Sequence, residues 1–180
     1  RERLSATLRR HGVSLALTTR FDIGPYGLDE EIGFVASHGG RLIVTGAKGH
    51  AGLTGEPLKE GVRRFVEAMR PTLERARAAG VEIAIENHGS MLINTPDSIR
   101  WLREFGRGLP IGIALAPYHL PQDPALIAGL IRDLGDRLLL FYAWEYGRGC
   151  MKPMPLAEEL MQLPGRGPLD WAAPLRALQD

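Results

Sequence analysis

Five short apolar runs, each followed by a stretch with helical periodicity, constrain this chain more than any other feature. The runs are "VSLALTT" (Val13 to Thr19), "RLIVTG" (Arg41 to Gly46), "VEIAIE" (Val81 to Glu86), "IGIALA" (Ile111 to Ala116) and "RLLLFYAW" (Arg137 to Trp144). They have the length of buried strands. Between them, Leu58, Val62, Phe65, Val66 and Met69 share one helical face, which continues after Pro71 through Leu73 and Ala76. Ile99 with Leu102, and Leu126, Ile127, Leu130, Ile131 and Leu134, repeat that spacing. Gly12 and Gly80 stand just before strands as helix stops, Pro57 marks a helix start, and "NTPDS" (Asn94 to Ser98) supplies capping residue types around Pro96. Strands alternating with helices imply parallel strands joined by right-handed crossovers.

An open doubly wound sheet and a closed (β/α) barrel both satisfy that order, and the alternation within the strands favours the barrel. In Val81 to Glu86, Val81, Ile83 and Ile85 point one way while Glu82, Ala84 and Glu86 point the other. In Ile111 to Ala116 the branched set is Ile111, Ile113 and Leu115, and the small set is Gly112, Ala114 and Ala116. Ser14, Ala16 and Thr18 repeat the small set. A large branched side suits packing against helices, and a small or polar side suits a crowded barrel interior. A sheet covered on both faces reads apolar on both. The expected fold is therefore α/β, a (β/α) TIM-type barrel.

The 180 residues form one expected domain, 1–180. A complete barrel takes about 250 residues. Five strands, and an opening "RERLSATLRR" that lacks an initiator Met inside a helical pattern, point to a barrel incomplete at both ends. That leaves room for a targeting signal upstream. Lys+Arg of 22 against Asp+Glu of 21 gives a net charge of +1, which argues against nucleic acid or an acidic membrane surface as a partner. No run approaches the roughly 18 apolar residues of a membrane span. The single cysteine, Cys150, suits a reducing, cytoplasmic compartment and reads as a plain loop thiol. Homo-oligomerisation stays open.

The unusual polar residues gather at the carboxyl ends of the runs: Thr18, Thr19 and Arg20; Thr45, Lys48 and His50; Glu86, Asn87 and His88; Tyr118 and His119; Trp144 and Glu145. A parallel barrel places its active site on that rim. Glu86 is the leading candidate, because alternation aims it inward, where a carboxylate can act as a base or bind a divalent cation. His119 is braced by Pro117 and Pro121. Asn87, His88, Lys48 and His50 are expected to line the pocket for a substrate, with Glu145, on the face of Phe141 and Ala143, in reserve. In "PGRGPLDW" (Pro164 to Trp171), Gly165 and Gly167 are expected to form a tight turn, with Pro168 starting a helix that ends near Leu178.

The order "VEIAIENH", "IGIALAPYHL", "LLLFYAWE", "PGRGPLDW" resembles the sugar phosphate isomerase/epimerase group of xylose isomerase-like TIM barrels. The resemblance runs from about Val13 to the chain end. It implies a divalent metal (manganese, magnesium or zinc) on the rim and proton transfer between carbons of a sugar-like hydroxy-carbonyl substrate. Glu86 falls where the first metal-ligating Glu belongs, and His119 matches the His of an Asp-x-x-His motif, a substrate-binding position. The Asp of that motif is replaced by Ala116, and Ala143 lies nearest the place of an expected His. Two functions are consistent with this pattern. One is an isomerase or epimerase in which Glu86 and His119 are catalytic and Glu86 is the metal ligand. The other is a metal-depleted barrel that binds a sugar-like ligand without catalysis.

Overall fold

A computed structural model describes residues 2–147 and 152–180. Cys150 therefore lies outside the described residues. The strands are β1 (Leu17–Thr19), β2 (Leu42–Gly46), β3 (Glu82–Glu86), β4 (Ile111–Leu115) and β5 (Leu138–Phe141). They form one sheet in sequence order, and every neighbouring pair is parallel. Sequential order without reversal is the strand order of a barrel wall. The helices are α1 (Glu2–Arg10), α2 (Asp29–Ser37), α3 (Gly55–Ala78), α4 (Pro96–Phe105), α5 (Pro124–Leu134), α6 (Leu156–Glu159) and α7 (Ala172–Ala177).

The large and small faces of β3 and β4 separate as the alternation requires. Ile83, Ile85, Ile111, Ile113 and Leu115 join Leu58, Val62, Phe65, Met69, Ile99, Leu102 and Ile127 in the main core between strands and helices. Burying each such side chain contributes about 1.5–3 kcal/mol. Val44, Ala84 and Ala114 form a second cluster on the opposite, inner face, flanked by Leu17, Leu42, Leu139, Leu140 and Tyr142. α3 runs unbroken through Pro71, and Gly80 follows it at φ +68°, a conformation costly for any residue with a Cβ. α4 starts on a capping box in which the Thr95 hydroxyl accepts from Ser98 N and the Ser98 hydroxyl accepts from Thr95 N.

Three expectations need correction. β1 covers only the end of Val13–Thr19, and Leu17, not Thr18, faces the inner cluster; Thr18 is paired with outward-facing Ile43. Residues 13–16 are not strand, so the period of two could not be carried through them. β5 stops at Phe141 and contains a bulge: Ile113 pairs with Leu138 and Ala114 with Leu140, which skips Leu139. Gly112 permits it, since a Cβ there would meet Arg137 O at 2.5 Å and Leu139 Cγ at 2.7 Å. Finally, α7 begins at Ala172 rather than Pro168, because the Asp170 carboxyl accepts from Ala172 N and fixes the start there.

Candidate functional site

Glu86 is the last residue of β3, in register with Gly46 of β2 and Ala114 of β4. It lies two positions beyond Ala84 of the inner cluster, so its side chain enters the barrel mouth. The position opposite is Gly46, where the Phe21 and Met91 side chains fill the space that a Cβ would need. The Glu86 side chain is only 7 % exposed, which makes its partners decisive. Tyr118 donates its hydroxyl to Glu86 Oε1 at 3.1 Å, and the Tyr142 hydroxyl is in hydrogen-bonding reach of the same carboxylate. His119 Nε2 is 4.0 Å from Oε1. The rings stack into a wall around the carboxylate: His119 is 4.3 Å from both His88 and Tyr118, Tyr142 meets Tyr118 edge-on at 6.2 Å, and Phe21 is 6.3 Å from His88.

Burial raises the Glu86 pKa above the usual carboxylate value, while the two tyrosines and His88 pull the other way with smaller effect. Burial, then the neighbouring His88, push His119 down to about 4, so its ring is neutral at pH 7. Tyr142 is pushed up, first by burial and then by the Glu86 charge. His88 Nδ1 accepts from Ser90 N at 3.3 Å, so a neutral His88 carries its hydrogen on Nε2.

The other sequence candidates divide. Asn87 is fully buried and spends its amide on the backbone: Nδ2 donates to Ala116 O at 3.0 Å, and Oδ1 accepts from Ala116 N at 2.7 Å. Lys48 and His50 are exposed on the loop after β2, with no hydrogen bond or ion pair among the described residues. Glu145 is brought elsewhere. Its Oε2 accepts from Trp171 Nε1 at 2.9 Å and its Oε1 from Leu169 N at 3.4 Å, against the turn that carries Gly167. The β5 bulge is the reason: it turns Phe141 outward onto Trp171 and Tyr142 inward onto Glu86. Tyr142 is thus a site residue that the sequence pattern missed, since four consecutive apolar residues hide a bulge.

A parallel wall of strands with a buried carboxylate at the end of β3 invites comparison with known barrels. The family described as xylose isomerase-like TIM barrel matches residues 1–180. The chain belongs to that family. No curated protein sequence matches it. Among solved structures, this xylose isomerase-like barrel is similar to an L-ribulose 3-epimerase, with a TM-score of 0.71 and 22 % identity over 98 % of this chain and 61 % of the other. A 3-keto-D-glucoside 4-epimerase from E. coli gives 0.72 and 21 %, covering 99 % and 72 %. The IOLI protein, solved with a zinc atom, gives 0.67 and 16 %, covering 98 % and 67 %. At these identities the likeness is one of fold, and the chain spans about 61 % of the length of the ribulose epimerase.

The divalent metal implied by the family finds a poor fit in these residues. No group of three His, Cys, Asp or Glu able to hold an ion occurs among the described residues. Glu86 Oε1 already accepts from Tyr118, and Ala116 brings a buried methyl held in place by Asn87. A hard cation takes several oxygen ligands, and one carboxylate does not supply them. Among the described residues, no helix is long and apolar enough to cross a membrane.

Proposed function

We propose that this barrel is an isomerase or epimerase of a small sugar or sugar-phosphate-like hydroxy-carbonyl compound, with Glu86 as the proton acceptor. The observation that carries this is the placement of one buried carboxyl group, its pKa raised by burial, at the inner end of β3. A carboxylate whose pKa moves toward neutrality is a better base for a carbon acid, and positioned bases contribute about 10²–10⁴-fold to such reactions. Glu86 takes the proton from the carbon beside the carbonyl and returns it to the neighbouring carbon or to the same one. His119, neutral at pH 7, serves as a hydrogen-bonding partner for a substrate hydroxyl, and His88 presents its Nε2–H. The aromatic wall excludes water from the carbon acid. The epimerase names of the solved neighbours support this class of substrate. No step is assigned to a metal, because the described residues around Glu86 do not fit one. The low cysteine content is compatible with a cytoplasmic setting.

A second reading, a barrel that binds a sugar-like ligand without turning it over, is favoured by Ala116 at an expected ligand position and by Tyr118 already engaging Glu86. Incubation of the full-length protein in D₂O with a panel of ketoses, aldoses and their phosphates separates the two. The enzyme incorporates deuterium at the carbon beside the carbonyl, and Glu86→Gln lowers that rate at least about 100-fold while the variant still melts cooperatively as a folded protein. Full exchange in Glu86→Gln would remove Glu86 as the base. Saturable binding of a sugar by calorimetry without any exchange would establish the second reading instead.

A further inference from the structure

We propose that the Glu86 site is metal-independent, its carboxylate held by the phenols of Tyr118 and Tyr142 where the family implies a cation. The role assigned to the phenols rests on the proton-transfer reading; the absence of a cation requirement does not.

Four contacts support it. A carboxylate removed from water needs donors to its oxygens, and without them its burial is costly. Tyr118 supplies one at 3.1 Å to Oε1, and Tyr142 stands within reach of the same group. The two phenol rings brace each other edge-on at 6.2 Å, and His119 packs on Tyr118 with ring centres 4.3 Å apart. A phenol has one hydroxyl hydrogen and remains neutral, so it can hold a carboxylate without neutralising it. That preserves the basicity which a bound dication would suppress.

The second strand of support is what occupies the neighbouring position. Ala116 is fully buried, and both its N–H and its C=O are engaged by the Asn87 amide, so the chain is locked at this point with only a methyl to offer. A ligand set cannot be recovered there by a change of rotamer. The same lock starts the Pro117–His119 turn, whose His119 N donates to Ala116 O at 3.1 Å, and that turn delivers Tyr118 to Glu86. Asn87, Ala116 and Tyr118 therefore act in sequence as supports of the carboxylate.

In the reaction, Glu86 takes the C–H proton, the C–H electron pair becomes the C=C bond of an enediolate, and the carbonyl pair moves onto oxygen. As Glu86 takes up the proton its carboxyl no longer needs the Tyr142 hydrogen, and that hydroxyl turns to donate its one hydrogen bond to the oxygen that gains charge. When Glu86 returns the proton to carbon, the pair moves back and Tyr142 is left as it began, with no oxidant or reductant consumed.

The test uses full-length protein dialysed against a chelator. Manganese titration followed by electron paramagnetic resonance is expected to show no stoichiometric site that disappears in Glu86→Gln. Deuterium exchange into substrate is expected to survive the chelator and to fall at least tenfold in kcat in Tyr142→Phe, with KM little changed. One manganese per chain lost in Glu86→Gln would overturn the proposal, as would undiminished exchange in Tyr118→Phe/Tyr142→Phe. If the wild-type chain exchanges no proton with any substrate, the proton-transfer reading fails, and the manganese titration still decides whether the site needs a cation. A thermal double-mutant cycle between Tyr118→Phe and Glu86→Leu, which removes the acceptor, then decides the phenol contact, with zero coupling counting against it.

Discussion

Asn87 and Ala116 are joined as two strands would be, but with a side chain standing in for one backbone. The Asn87 amide donates to Ala116 O at 3.0 Å and accepts from Ala116 N at 2.7 Å, extending the β3–β4 ladder beyond the last residue of each strand. Both groups are fully buried, so water cannot replace either bond.

Asn87→Ala should therefore leave the buried Ala116 N–H unsatisfied and its C=O with only the His119 N–H, and cost about 3 kcal/mol. In a chain of this size that corresponds to a fall in Tm of about 10 °C. Asn87→Asp keeps the shape but turns an acceptor toward the Ala116 carbonyl, so it should be no better than alanine. Thermal melts of the two variants check this. An aspartate variant as stable as wild type would reduce Asn87 to a space-filler.

The same pair shows what could be read in advance. β3 and β4 alternate large and small residues so cleanly that the inner face, the outer core and the placement of Glu86 all follow from spacing. "VSLALTT" offers no such contrast around Leu15 and Leu17, and the strand begins only at Leu17, so its phase came out reversed. "LLLF" is uniformly apolar and conceals the skip at Leu139. Everything beyond that bulge moved with it: Tyr142 entered the mouth, and Glu145 turned to Trp171. Nothing in the side-chain identities of "LLLF" distinguishes regular pairing from a bulge; the close approach of Arg137 O to Gly112 does.

Gly167 is predicted to be intolerant of a side chain for a reason unrelated to backbone conformation. A Cβ there would overlap Glu145 Oε1 and the Met161 carbonyl. Glu145 is 1 % exposed and ties Trp171 and Leu169 to the segment after β5, so it has nowhere to retreat. Gly167→Ala should cost about 3 kcal/mol, at the upper end for added volume in a packed site. Glu145→Ala opens that space, so the double variant should be less destabilised than the sum of the singles. Urea unfolding of the three variants gives the answer, and strict additivity would rule the contact out.

His119 and Glu86 should give the protein opposite pH dependences that single variants can separate. The folded chain holds His119 at about 4, below the ordinary 6.5, so between those values the unfolded chain binds a proton that the folded one refuses. Stability on this account is complete above about pH 6.5 and is lost as pH falls toward 4. Glu86 is shifted upward by burial, so the folded chain keeps a proton that the unfolded one has released. Its contribution is present at low pH and is lost as pH rises from the ordinary carboxyl value of 4.5 through the raised one. His119→Gln should accordingly flatten the acid side of a plot of Tm against pH, while Glu86→Gln should steepen the net loss on acidification by removing the opposing contribution. Melting curves from pH 4 to pH 8 for wild type and both variants check the pair. An acid limb unchanged by His119→Gln would show that this imidazole is as free to protonate in the folded chain as in the unfolded one.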